Sequence, residues 1–381
     1  QRPMTITINA AFDSGNIQVI DASDPQRVLL AMRQDLNSHH FQWFHFQVDD
    51  LQPGQRYGFC LTNAGQSAYN RAWDGYQAFA SYDNQHWFRI DTRYQQGELV
   101  LTLNAQAAKV YYAYFVPYPQ ARHDALLQQV TTIPTAQLEV LGQTPQGRDM
   151  MLLRIGSADP KAKKIWLIAR QHPGETMAQW LAEGVIKQLS EHFAAPQAEQ
   201  SAIRFYSVAN MNPDGAAIGN HRTNASGINL NRHWATPDPV LCPEVYLVKQ
   251  AMQRIGVDAF IDIHGDESLP YNFMLAETKH PFADRLKQAL AEVDSNFQTE
   301  YDYSNVAVGC GASSCGTSCG QQAATSFVQQ QFGVASMLLE ASFKPLQQAG
   351  QTLVWDHNSA IKLGRSLALV LCDFAQRKAL S

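Results

Sequence analysis

From about residue 120 onward, apolar runs of strand length alternate with longer segments of helical spacing. "KKIWLIA" is followed by "MAQWLAEGVIKQLSEHF", then come "AIRFYSVA", "VYLVKQAMQRI", "VDAFIDI" and "VASMLLEA", and "SAIKLGRSLALVLCDFAQRK" closes the series. Strands too apolar to keep a wet face, spaced by helices, predict an α/β unit with a mixed, largely parallel sheet flanked by helices. "LEVLGQTPQGRDMMLLRIG" leads into it as a hairpin turning at "PQGRD". Before residue 120 the pattern is different. "FQWFHFQV", "RYGFCLTN", "HWFRIDT", "ELVLTLN" and "KVYYAYFVPY" are short β-type runs separated by turn signals such as "LQPGQ" and "YDNQ". Repeated strands without helices predict an all-β sandwich. A chain of 381 residues is long enough for two cores, so the expected division is a sandwich over 1–120 and the α/β unit over 121–381.

Charge and composition remove several function classes. Lys+Arg 29 against Asp+Glu 34 gives a net charge of -5, which offers no footprint for nucleic acid or an anionic membrane. No apolar run approaches the roughly 20 residues of a membrane span, and "QRPMTITINAAFDSG" holds no signal-like apolar stretch. A cytoplasmic location is the simplest expectation. Cys60, Cys242 and Cys372 are scattered, and Cys310, Cys315 and Cys319 in "GCGASSCGTSCG" lack the paired C-x-x-C spacing of a structural zinc knuckle. Small-residue packing in a Gly/Ser loop explains that cluster without a metal.

Open α/β sheets bind ligands in the crevice beyond the carboxyl ends of their strands. Polar residues gather there in this sequence: His172 and Glu175 after "IWLIAR", Asn210 after "FYSVA", His264 after "AFIDI" and Glu340 at the end of "SMLL". Catalytic zinc takes three protein ligands from His and Asp/Glu and keeps one position open. His172, Glu175 and His264 supply such a set. In H-x-x-E the histidine lies on the loop leaving a strand and the glutamate in the first helical turn; Glu175 taken alone also suits a helix dipole. Glu340 is a carboxylate in an otherwise apolar strand, a costly position unless it is solvated or functional; near a metal it suits a general base. The connection over 212–234 carries Arg222, Asn231 and Arg232, which suit a substrate carboxylate and equally suit a solvated loop.

The motifs "HPGE", "NPDG", "GNHRTNASGINLNRHW", "DIHGDE" and "LLEASF", in that order, resemble the zinc metallocarboxypeptidases of the carboxypeptidase A type. Among these the chain is most similar to the cytosolic carboxypeptidase subfamily in its bacterial form, and "WFHFQV", "YGFCLTNAG", "YDNQHWFRI" and "VYYAYFVPYP" resemble the β-sandwich that precedes the catalytic unit there. The resemblance implies one zinc ion per chain held by His172, Glu175 and His264. It implies zinc-activated water, Glu340 as general base and proton shuttle, Arg222 at the scissile carbonyl, and Asn231 with Arg232 on the terminal carboxylate. Peptide or protein C-terminal tails would be the substrates. Asn229 stands where many members carry an Asp that orients a zinc histidine; its amide oxygen can still accept the imidazole N–H. Members that remove glutamate carry a basic residue near the position of Thr325, and no Lys, Arg or His lies between Lys287 and Lys344. A neutral pocket of Thr325, Ser326 and the Gly/Cys-rich loop is therefore expected, favouring broad or neutral C-terminal residues over acidic ones. Tyr301 and Tyr303 are both candidates for an assisting tyrosine, and spacing does not choose between them. Asp266 and Glu267 are expected to support the site or to be solvated. Two other readings share these residues: a zinc-dependent acyl-amino-acid amidase, and a catalytically inert peptide-binding protein.

Overall fold

A computed structural model describes residues 5–195, 202–306 and 321–376. The chain opens with ten short strands: β1 (Thr7–Asn9), β2 (Gln18–Asp21), β3 (Val28–Ala31), β4 (His45–Asp49), β5 (Arg56–Leu61), β6 (Phe79–Ser81), β7 (Trp87–Arg89), β8 (Asp91–Gln95), β9 (Glu98–Asn104) and β10 (Val110–Ala113). They form two five-stranded sheets, in the orders β1-β4-β10-β6-β7 and β2-β3-β5-β9-β8, with only β3 and β5 paired in parallel. Period-2 alternation drives the burial: in β9, Leu99 and Leu101 are fully buried while their neighbours are partly exposed. Phe46, Phe59 and Tyr112 fill the interior with ring centroids 4.9–5.9 Å apart.

Helix α1 (Gln120–Val130) follows at once. The sequence shows only a change of pattern there. The helix buries His123, Leu126, Leu127 and Val130, and a histidine in the apolar stripe hides its 3.6-residue period. Next come β11 (Ala136–Gln143), β12 (Asp149–Gly156), β13 (Lys163–Ala169), α2 (Thr176–Phe193), β14 (Ile203–Val208), α3 (Pro213–Ile218), α4 (Pro243–Ile255), β15 (Ala259–Asp266), β16 (Phe273–Ala276), α5 (Pro281–Val293), α6 (Ala324–Phe332) and β17 (Ala335–Ser342). A small hairpin, β18 (Leu346–Gln348) and β19 (Gln351–Leu353), leads to α7 (His357–Gln376).

The seven-stranded sheet has the order β11-β12-β14-β13-β15-β17-β16. Its four central strands run parallel and its outer pairings are antiparallel, the mixed, largely parallel sheet expected of the sequence. The two parts of the molecule are joined through the segment 217–225. Ser14 N–H donates to Ala217 O at 3.0 Å, Asn16 to Gly219 O at 2.8 Å, Arg33 to Ile218 O at 2.6 Å and Asn37 to Ala225 O at 2.9 Å. Among the described residues no helix is long and apolar enough to cross a membrane.

Candidate active site

From β13 the chain moves to one side of the sheet to build β14, then returns to the other side to build β15. Such a reversal opens a crevice at the carboxyl ends of β13 and β15. The turn leaving β13 is held in an unusual conformation: Arg170 has φ 59°, and its buried guanidinium donates to Pro173 O at 2.8 Å, Tyr118 O at 3.1 Å and Gln179 Oε1 at 2.7 Å. Arg170 thereby fixes the loop that carries His172 and Glu175. Gly174 is required on steric grounds, since a Cβ there would stand 2.1 Å from Nδ1 of His221. Gly265 plays the same part across the crevice, where a Cβ would stand 3.1 Å from Glu175 Cγ.

Three buried side chains converge in the crevice. His172 Nδ1 is 2.7 Å from Glu175 Oε1, His264 Nδ1 is 3.0 Å from Glu175 Oε2, and the two Nδ1 atoms are 3.3 Å apart. The opposite nitrogen of each ring has an oxygen partner, Asn229 Oδ1 for His172 at 2.9 Å and Asp262 Oδ2 for His264 at 2.8 Å. Rings that donate outward through Nε2 present their Nδ1 lone pairs to each other and to a carboxylate. A cation among such atoms would offset that crowding of acceptors. One ligand atom from each of the three residues lies within 4.8 Å of the other two, and two imidazoles with one carboxylate are a donor set that zinc accepts. Burial pushes the His172 imidazole down to about 4, which keeps it neutral and able to ligate. Burial also raises the carboxyl of Glu175, but the neighbouring His172 and His264 more than offset this and leave it below its ordinary value.

The support behind His264 extends inward. Gln171 Nε2 donates to Asp262 Oδ2 at 2.7 Å, and Trp234 Nε1 donates to Gln171 Oε1 at 2.9 Å. Asp262, Gln171 and Trp234 are all buried, so an indole, an amide and a carboxylate stand in series behind one imidazole. Reading from the sequence misses this chain. Asp262 is one polar residue inside the strand "AFIDIHGD", and two-residue spacing from His264 was the available signal, since both then point to the same face.

Glu340 is the register partner of His264 on the adjacent parallel strand, which explains how a residue 76 positions later reaches the same crevice. Among the described residues its buried Oε2 has no hydrogen-bond partner. Burial raises its pKa well above the carboxyl range; His264 lowers it, while Glu175, Asp266 and Glu267 raise it further. Asp266 and Glu267 are buried, so they are not the solvated groups the sequence allowed. Asp266 accepts from Tyr303 O–H at 2.6 Å and from the Leu269 amide at 2.6 Å, and Glu267 pairs with His221 Nε2 at 2.7 Å. The cavity encloses about 340 Å³ and is lined by five carboxyl groups against the guanidinium groups of Arg222 and Arg232. That density of carboxyl oxygens is a second reason a divalent cation would fit. A larger cleft of about 870 Å³ between α5 and α7 has no histidine among its described lining residues, so size alone does not locate the chemistry.

Arg222 sits on the 217–225 segment and is organised by the first part of the chain. Its guanidinium donates to Tyr69 O–H and lies 5.5 Å from the Tyr69 ring. Asp35 accepts from the backbone amides of His221, Arg222 and Thr223 at 2.7–2.9 Å. Burial opposes the charge on Arg222, but Tyr69, Glu267, Glu175 and Glu340 outweigh it and raise the pKa. Asp35 and Tyr69 belong to no motif, and nothing in the sequence connects them to residue 222.

Asn231 and Arg232 lie on a single tight turn, Leu230–Arg232, and both line the cavity; Asn231 Nδ2 is 3.4 Å from His264 Nε2. Thr325 and Tyr303 line it too. Tyr301 does not, and stacks on Tyr271 with centroids 4.7 Å apart. Of the two tyrosines, Tyr303 is therefore the one at the site. Asn210 also stays outside the cavity; the turn after β14 serves α3 instead, with Asn212 Oδ1 accepting from Gly215 N–H at 3.1 Å. The neutral pocket expected beside Thr325 and Ser326 contains a carboxylate, Glu277, which the sequence reading did not include. Cys310, Cys315 and Cys319 lie outside the described residues, while Cys60, Cys242 and Cys372 are buried thiols.

Residues 8–115 match the family model of the cytosolic carboxypeptidase N-terminal domain, and residues 123–351 match that of the zinc carboxypeptidases. The chain belongs to the zinc carboxypeptidase family. An uncharacterised protein of Zymomonas mobilis is 36% identical over 392 residues, covering 99% of each chain. A metallo-carboxypeptidase from Pseudomonas aeruginosa, solved in complex with (2-guanidinoethylmercapto)succinic acid, is 39% identical with a TM-score of 0.87, over 98% of this chain and 100% of that one. Mouse cytosolic carboxypeptidase 1 is 28% identical over 320 residues, 71% of this chain, and the match spans 26% of the mouse protein.

Proposed function

We propose that the protein is a zinc-dependent carboxypeptidase that hydrolyses the last peptide bond of peptides or protein tails. His172 Nδ1, Glu175 and His264 Nδ1 would hold the ion. When bound, zinc supplies Lewis acidity, acidifying water and polarising a carbonyl oxygen. Glu340 takes the proton of the attacking water and returns it to the leaving amine, the work its buried, unpartnered Oε2 suits. Arg222 sets its positive charge against the oxygen that becomes negative in the transition state. Asn231 and Arg232 hold the terminal carboxylate, which fixes the last peptide bond over the catalytic groups and restricts cleavage to a free C-terminus. Asn229 and Asp262 orient the two imidazoles, and Tyr303 and Thr325 stand at the substrate's edge.

In this reading residues 1–120 form the sandwich that braces Arg222, and residues 121–381 form the catalytic unit. The name of the mouse relative favours a cytoplasmic location. A succinic acid compound bound to the Pseudomonas aeruginosa relative is in keeping with a cleft built for carboxylates.

One observation carries the reading: two imidazole Nδ1 atoms, Glu175 and Glu340 share one cavity with two guanidinium groups. The test is zinc analysis together with Glu340→Gln. The variant is expected to retain one zinc ion per chain and to lose about a thousandfold in kcat on peptides. Zinc-free purified protein, or full activity in the variant, would refute it; hydrolysis of N-acyl amino acids in place of peptides would turn the reading to an amidase.

A further inference from the structure

Glu277 follows β16 at the mouth of the cavity. Its backbone N–H donates to Ser336 O at 2.9 Å, which ties the residue to β17. Its carboxylate is held by the first turn of α6: Thr325 Oγ1 donates to Oε2 at 2.9 Å and Ser326 Oγ donates to Oε1 at 2.5 Å. The residue just before them, Ala324, donates its backbone N–H to Asn231 Oδ1 at 2.9 Å. Asn231, Thr325, Ser326 and Glu277 thus form one continuous wall of the cavity that contains His172, Glu175, His264 and Glu340. A substrate carboxylate at Asn231 and Arg232 has its own side chain attached one carbon away. The wall places a carboxylate one residue step along α6 from that station.

Among the described residues, the hydrogen-bond partners of the Glu277 carboxylate are hydroxyls, and none is a basic side chain. An ionised carboxylate has about four acceptor sites, so two accepted bonds leave room for more. A lysine ammonium or an arginine guanidinium, carried on three or four methylenes, would supply donors and charge to the remaining sites. A neutral side chain supplies neither, and an acidic one would set carboxylate against carboxylate.

We infer that the cleft selects peptides ending in arginine or lysine, with Glu277 receiving the cationic side chain; this rests on the carboxypeptidase reading. Glu277 is exposed before substrate arrives, so its pairing is screened and the selectivity weakens with salt. The expected preference over a neutral residue is about two- to fivefold in kcat/KM. A purely structural role exists as well, because a carboxylate beside the start of α6 complements the helix dipole. Glu277→Gln separates the two, since the amide oxygen can still accept a hydroxyl while the charge is gone.

The experiment uses the full zinc-loaded chain and four peptides that differ only in a final Arg, Lys, Leu or Glu. Wild type is expected to release Arg and Lys about two- to fivefold faster than Leu, and Glu slowest. E277Q should bring Arg and Lys down to the Leu rate, change Leu by less than it changes Arg and Lys, and keep the melting temperature; E277K should turn the preference toward Glu. A wild type that treats all four alike, or favours Leu or Glu, overturns the inference while the carboxypeptidase reading stands. An equal loss on all four peptides in E277Q overturns it too. If no peptide is shortened, the carboxypeptidase reading has failed, and calorimetry of the same peptides on the Glu340→Gln protein still decides: tighter binding of Arg and Lys ends supports the pocket, and equal binding refutes it.

Discussion

The two sides of the cleft are built by different means. His172, Glu175, His264 and Glu340 come from the ends of neighbouring strands in one sheet, so hydrogen-bonded register brings them together. Arg222 lies on a connection without regular structure and owes its position to Asp35 and Tyr69, more than 150 positions earlier in the chain. A sheet edge fixes side chains through its backbone, whereas the loop needs polar contacts from another layer to hold one arginine still. In this molecule the sandwich is part of the scaffold of the proposed active site, and damage to it should alter rate without changing metal content.

The largest test of that contrast is Asp35→Ala. Losing the acceptor for three consecutive amides should release Arg222 and lower kcat by about a hundredfold, with zinc content unchanged by elemental analysis. Loss of zinc together with activity would erase the distinction between the two sides. The complementary change is Asp262→Asn, which weakens the acceptor for His264 Nε2. Zinc affinity, read by competition with a chelator, should fall by about tenfold or more, and the apoprotein should melt as wild type does. A smaller effect of opposite sign is expected for Asn229→Asp, because a carboxylate raises imidazole basicity more than an amide oxygen; zinc affinity should hold or rise. A measured drop would remove Asn229 from that role.

Glu244 gives a control outside the cleft. Burial raises its carboxyl to about 7, with the amide of Asn224 as its side-chain partner among the described residues. A folded pKa above the ordinary 4.5 means the native state holds the proton more tightly than the unfolded chain. Stability contributed by the neutral acid is then complete below pH 4.5, declines as the pH rises toward about 7, and is lost above that. Glu244→Gln should match wild type in acid and exceed it by on the order of 2 kcal/mol above neutrality, by urea denaturation at several pH values. A constant difference across the range would contradict the sign.

How much the sequence revealed follows from the same contrast. The alternation of strands and helices makes the α/β sheet legible, and residues at strand ends announce a shared edge before any coordinates exist. His172, Glu175, His264 and Glu340 could be grouped for that reason. Residues that act through space from another layer leave no periodic trace. Asp35 and Tyr69 read as ordinary loop residues, and Glu277 stands 48 positions before its partner Thr325. The pocket therefore looked neutral when only the segment near Thr325 was considered. Helix α1 escaped notice for a different reason, since His123 occupies a place in its buried stripe.

Mass spectrometry of one peptide in two forms distinguishes removal of single residues from a free C-terminus from any other cleavage. With zinc-loaded protein, the peptide bearing a free terminal carboxylate should lose its last residue, and the same peptide with an amidated end should remain intact. Internal cleavage, or equal shortening of both forms, would contradict the account.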